Sequence, residues 1–279
     1  MYQMSANLKQ QGAEFWNVNP CGGGWQSYRE FMAWIQRTEP YIYRLLGRYE
    51  WKDKRVLEVG CGQGSTLNYL PGLGAWVYGI DMSEGSLAKA KAGAEELAYS
   101  DRVKLSVGDA EHLPFDDELF DAVICMGVLH HTPDIGRGVR EILRVLKWSG
   151  LAIVMLYRSE NPKWWATKFL RELPFLSEKI KRNNFHIGER LRQKQIAGNQ
   201  EGTALLELFG VPIIKAFSSD ECRRIFAGFK SVTITNHQPG FERNCDIIRA
   251  LEPFRDVFRR IDGTMKNRWG FYQVIEARK

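Results

Sequence analysis

Cysteine is scarce in this chain and badly placed for cross-linking. Cys21, Cys61, Cys125, Cys222 and Cys245 are odd in number, and none stands in C-x-x-C spacing. That excludes a disulfide framework and a zinc motif, and it fits a reducing compartment; no metal site is expected. Long apolar runs are also missing. No stretch could span a bilayer, and the polar start from Met1 to Gln11 holds no signal-peptide core, so a soluble, cytoplasmic protein is expected. Charge of one sign is not concentrated either. The net +6 is dispersed along the chain, which permits an anionic substrate, a membrane surface or RNA and selects none of them. Internal repeats are absent. What the chain does have is length and apolar content: 279 residues, 44% of them hydrophobic, suffice for one large domain or a domain with a lid.

The most informative stretch is Val56-Leu57-Glu58-Val59-Gly60-Cys61-Gly62-Gln63-Gly64-Ser65. Arg55 to Val59 read as a buried strand, and three alternate glycines let the backbone turn and approach a ligand. Ser65 or Thr66 could cap a following helix whose apolar positions begin at Leu67. Strand, glycine turn and helix start together form the ligand-binding corner of a doubly wound α/β fold. A dinucleotide fingerprint, G-x-G-x-x-G/A, fits imperfectly, because its third small position falls on Ser65. Glu58 would repel a pyrophosphate. It suits a ligand with an ammonium and no phosphate, such as the methionine end of S-adenosylmethionine.

From Arg55 to Tyr157 strands and helices alternate. Strands are expected at Trp76–Ile80 (ending at Asp81), Val103–Val107, Phe120–Met126 and Leu151–Tyr157. Helices are expected at Glu84–Ala98 and Asp134–Lys147, with a turn at Trp148-Ser149-Gly150. Continuous apolar strands of this kind suit a parallel sheet covered on both faces. The rhythm breaks over Arg158 to Lys215, read as an insertion above the ligand edge. It resumes with Ser218 capping a helix over Ser219–Ala227 and with strands at Ser231–His237 and Trp269–Ala277. The expected divisions are a helical N-terminal lid segment (1–50), a binding core (51–157), a lid insertion (158–215) and the rest of the core sheet (216–279).

On VLEVGCGQGS, YGIDMSEGSL, VGDAEHLPFDDELFDAVICMGVLHH and REILRVLKWSGLAIVMLY, the chain resembles class I S-adenosylmethionine-dependent methyltransferases of the type-11 group. The resemblance is strong over Arg55 to Tyr157 and weaker on the flanks. It implies a Rossmann-like, mostly parallel seven-stranded sheet with S-adenosylmethionine as cofactor. By the same resemblance, Asp81 takes the ribose hydroxyls, Met82 packs on the adenine, and Asp109 and the Ala110 N–H meet the adenine edge. Gly60, Cys61, Gly62 and Gly64 approach the methionine moiety, Glu58 holds its ammonium, and Met126 and Gly127 line the reaction side.

The remaining features each have two readings. His130 and His131, after the fourth strand, could be general bases, or could fix the loop to the Thr132-Pro133-Asp134 helix start. The aromatic N-terminal segment, including Phe15, Trp16, Trp25, Tyr28, Phe31 and Trp34, could be a water-excluding lid or a satellite core. Trp16, Trp25, Tyr28 and Tyr157 are the expected substrate-lid residues. Lys163 to Arg171 is basic and aromatic; a lid helix packed on the domain is favoured over membrane-surface contact. Nucleic acid is not expected as a partner, since a D/N/S-P-P-Y/F motif is missing where Met126-Gly127-Val128-Leu129 stand. The function read from all this is methyl transfer to a small, lipophilic metabolite through O, N or C. The alternatives are a cofactor-binding module without transferase activity and an NAD-dependent oxidoreductase.

Overall fold

The computed structural model describes residues 2–19, 27–173, 211–237 and 249–279. Its centre is a seven-stranded sheet in the order β3-β2-β1-β4-β5-β7-β6. The strands are β1 (Arg55–Val59), β2 (Trp76–Asp81), β3 (Val103–Val107), β4 (Phe120–Met126), β5 (Leu146–Tyr157), β6 (Ser231–His237) and β7 (Tyr272–Arg278). Neighbours from β3 to β5 are parallel, and β7 runs antiparallel to both β5 and β6. The chain winds outward from β1 to β3, then returns to place β4 on β1's other side. That reversal opens a crevice beyond the carboxyl ends of β1 and β4.

Alternate residues along the central strands feed two cores. Leu57, Val59, Val123, Cys125 and Val154 face one side, under α5 (Ile135–Val145) and α7 (Ser219–Ile225). Val56, Val77, Ile124 and Ile153 face the other, under α3 (Pro40–Leu46) and α4 (Glu84–Glu96). Ile135, Val139, Ile142 and Val145 form one apolar stripe of α5, whose start is fixed by Asp134 accepting the Arg137 N–H at 3.0 Å. Ser218 and Glu221 form a capping box on α7, so the expected N-cap stands. The described part of the N-terminal segment is helical, as expected, in α1 (Tyr2–Val18), α2 (Tyr28–Thr38) and α3, and residues of α1 and α2 line the cavity at the ligand edge.

Four local expectations are corrected. The glycine loop leads not into an α-helix but into turns and a 3-10 turn at Leu70–Leu73, because Pro71 and Gly74 cannot continue a helix. Trp148-Ser149-Gly150 is not a free turn; it lies inside β5 as an irregularity, with Ser149 at φ +64°. The last strand starts at Tyr272 rather than Trp269, which ends the helix α8 (Arg255–Trp269) before an extended Gly270. The helix after Ser218 stops at Ile225, short of Ala227. Within the insertion, α6 spans Pro162–Glu172. The Gly198–Gly202 patch lies outside the described residues. No helix among the described residues is long and apolar enough to cross a membrane. Cys61, Cys125 and Cys222 are buried free thiols.

Candidate active site

The glycine loop is pinned before it turns. Gly60 and Cys61 both donate their N–H to the Ile80 carbonyl, at 2.8 and 2.9 Å. Gly60 sits at φ +69°, and a Cβ there would lie 2.2 Å from a Val128 methyl, so a side chain is excluded twice over. Gly62, at φ +53°, donates its N–H to Asp81 Oδ2 at 2.8 Å, while a Cβ on it would meet nothing within 4 Å. The loop therefore presents backbone to open space.

Three carboxylates stand along this edge. Glu58, on β1, is buried; burial pushes its carboxyl well above the usual range, Asp81's charge adds to that, and bonds from Thr66 and the Leu67 N–H only partly oppose it. Its Oε2 has no hydrogen-bond partner among the described residues. Asp81, at the end of β2, is gripped through both oxygens, by the Gly62 N–H and by the Ser83 N–H at 2.8 Å. Burial still raises its carboxyl. Asp109 follows β3. Its Oδ1 accepts the Glu111 N–H at 2.9 Å, and its Oδ2 meets Lys9 Nζ at 2.7 Å and His112 Nδ1 at 3.3 Å. Burial would raise this carboxyl, but Lys9 and the Glu111 N–H outweigh it and hold it low.

These groups line one cavity of about 270 Å³. All the expected cofactor residues face it except Gly64: Glu58, Gly60, Cys61, Gly62, Asp81, Met82, Asp109, Ala110 and Met126. Gly64 is turned toward α2, its carbonyl accepting the Tyr28 hydroxyl at 2.5 Å. Tyr28 is accordingly a strut between α2 and the loop and does not line the cavity. Trp16 and Tyr157 do line it, and Trp25 lies outside the described residues. Phe31, Trp34 and Ile35 of α2, with Ile42 and Met155, make the far part of the cavity apolar.

The two histidines part company. His130 is fully buried and stacked on Tyr157, ring centroids 3.9 Å apart, away from the cavity lining. His131 lines the cavity beneath Trp16, whose ring stands edge-on at 5.4 Å. Its Nδ1 lies 2.7 Å from the Ile213 carbonyl, which can only accept, so the proton is on Nδ1. Nε2 is then a bare lone pair, with no partner among the described residues. Burial lowers this histidine to about 4, leaving it neutral at neutral pH.

Sequence reasoning missed Lys9. The helical stripe Leu8, Gly12, Trp16 was the available signal, because it puts Lys9 beside the face that covers the cavity.

Residues 57–154 match the family model described as a methyltransferase domain. A demethylmenaquinone methyltransferase of Clavibacter sepedonicus is 39% identical over 101 residues, 36% of this chain and 40% of its own length. The 27-O-demethylrifamycin SV methyltransferase of Amycolatopsis mediterranei is 31% identical over 151 residues, 53% of this chain and 54% of its own. The chain spans no more than about half the length of the curated relatives it matches. Among solved structures, an S-adenosylmethionine-dependent methyltransferase from Mesorhizobium loti shares the fold, with TM-score 0.55, 17% identity and coverage of 86% of this chain and 96% of that one. The residues fit that cofactor: an unpartnered buried carboxyl oxygen calls for a cation, whereas a pyrophosphate would meet Glu58 and Asp81. Residues 57–154 thus form a methyltransferase domain, set in a seven-stranded sheet whose fold is shared with the solved methyltransferase from Mesorhizobium loti.

Proposed function

We propose that this chain transfers a methyl group to a small, lipophilic metabolite bound beneath α1 and α2. The observation that carries the reading is Glu58 Oε2, buried and without a partner among the described residues, beside the open backbone of Gly62. S-adenosylmethionine supplies an electrophilic methyl group on a sulfonium. In this reading Glu58 holds the ammonium, Asp81 the ribose hydroxyls and Asp109 the adenine amino group. A carboxylate has about four acceptor sites, so Asp81 keeps capacity after its two backbone bonds. The aromatic and aliphatic groups of α1 and α2 exclude water, which strengthens the electrostatics inside. Segments 1–50 and 158–215 select the acceptor. Its lipophilic character is argued from Phe31, Trp34, Ile35 and Ile42 in the cavity wall, and from relatives named for demethylmenaquinone and a demethylated rifamycin.

His131 is the general base of this reading rather than His130. A neutral imidazole with Nδ1–H held by Ile213 leaves Nε2 to accept a proton from an O–H or N–H acceptor. Labelled-methyl transfer into cell extract, followed by purification of the labelled product, identifies the acceptor. With that acceptor, His131→Gln is expected to lower kcat about 100-fold, the low end of general-base effects, with S-adenosylhomocysteine affinity unchanged. Unchanged kcat would remove His131 from the chemistry.

A further inference from the structure

We infer that Lys9 is a positioning residue that latches α1 as a roof over the cavity, so that roof closure and cofactor binding reinforce each other. The inference rests on the proposed reading of Asp109 as the adenine acceptor. Lys9 stands midway along a helix of 17 residues. Its Nζ is 2.7 Å from Asp109 Oδ2 and 2.6 Å from Glu111 Oε2. The Lys9 side chain is 17% exposed and that of Glu111 only 4%. This is not a solvated surface pair, whose contribution would be small. Glu111 is itself fixed from below, accepting the Asp134 N–H at 2.7 Å. A lysine so held cannot drift without leaving a buried carboxylate uncompensated.

The same helix is clipped again near its C-terminal end. Asn17 Oδ1 accepts from Ser83 Oγ at 2.7 Å and from the Gly85 N–H at 3.3 Å, at the start of α4. Trp16 packs on His131. Between the clips, Gly12 and Trp16 line the cavity, and a Cβ on Gly12 would meet nothing within 4 Å. The roof thus spans the cavity from Asp109 to His131 with clearance beneath its middle.

Asp109 has room for both the latch and the ligand. Asp109 Oδ2 is occupied by Lys9 and His112, while Oδ1 takes only the Glu111 N–H. One acceptor position therefore remains on Oδ1, and an adenine amino group can use it without displacing Lys9. The latch also lowers the Asp109 carboxyl, keeping it an anion that can accept.

The test compares wild type, Lys9→Met, Lys9→Arg and Lys9→Met/Glu111→Gln. Calorimetry gives S-adenosylhomocysteine affinity, and hydrogen exchange of residues 2–18 is read with and without that ligand. Lys9→Met is expected to weaken Kd about tenfold, equivalent to about 1.4 kcal/mol, and to speed α1 exchange. Lys9→Arg should recover most of both, since a guanidinium can serve two carboxylates. The double variant removes the uncompensated buried charge. It should melt near wild type yet keep weak binding and fast α1 exchange, which a merely structural role for Lys9 would not produce. Affinity within twofold of wild type, tighter binding, or slow α1 exchange in Lys9→Met would each overturn the inference. A wild type that binds no S-adenosylhomocysteine would overturn the proposed function and the coupling together, while ligand-free exchange would still decide the latch.

Discussion

Glu58 concentrates the conflict between stability and binding in one side chain. Its carboxyl is raised in the folded protein, first by burial and then by Asp81. The folded state therefore holds a proton that the unfolded state, titrating near the ordinary value, has already released. Stability falls as pH rises from the unfolded pKa to the folded one, and the penalty is complete above the latter. A carboxyl with an unpartnered buried oxygen costs about 1–3 kcal/mol by the usual measure of unsatisfied polar groups. Glu58→Gln is expected to raise the Tm of the ligand-free protein, by a margin that widens as pH rises above the ordinary carboxylate range. Coincident melting curves above that range would mean that Glu58 is compensated in a way the structure does not show.

At the scale of elements, the edge of the sheet is shaped by how α2 and the glycine loop hold each other. Ser27 accepts the Glu30 N–H at 3.3 Å to cap α2, and the Glu96 carboxylate of α4 takes the Tyr28 and Arg29 N–H groups at 2.8 and 3.1 Å. That fixes Tyr28, whose hydroxyl reaches the Gly64 carbonyl and whose ring covers Gly93. Tyr28→Phe removes this bond and frees the loop's last glycine. The expected effect is about a fivefold loss of S-adenosylhomocysteine affinity with a small drop in Tm, in keeping with about 1 kcal/mol for one hydrogen bond. Unchanged affinity would show that the loop keeps its shape without α2.

The same elements explain what was legible in the sequence. Strands β1 and β4 were readable to the residue because buried parallel strands are short apolar runs closed by turn residues, and the edge strands β3 and β6 because their apolar and polar residues alternate. Asp81 and Asp109 were readable because a strand end fixes where a following carboxylate must lie. The segment after Gly64 was not, since a helical apolar pattern from Leu67 is overridden by Pro71 three residues past the turn at Asn68. Nor was the separation of His130 from His131. Adjacent residues in a 3-10 turn point apart, and only the packing of Tyr157 and Trp16 decides which one meets the cavity. Lys9 escaped notice because its partners lie 100 and 102 residues away in sequence.

For the whole molecule, the central claim is that the switch point of this sheet holds a cationic amino-acid nucleoside and not a dinucleotide. The crevice lies beyond the carboxyl ends of β1 and β4, its floor is the glycine loop, and its lining carries Glu58, Asp81 and Asp109 together with Lys9, Glu39 and Lys163. Calorimetric titration with S-adenosylhomocysteine tests this most directly, with NAD as the competing ligand and Asp81→Ala as the second protein. The account predicts saturable binding of S-adenosylhomocysteine, at least tenfold weaker in Asp81→Ala, a loss of about 1.4 kcal/mol or more, and no heat from NAD. Binding of NAD, or S-adenosylhomocysteine binding indifferent to Asp81, would contradict it.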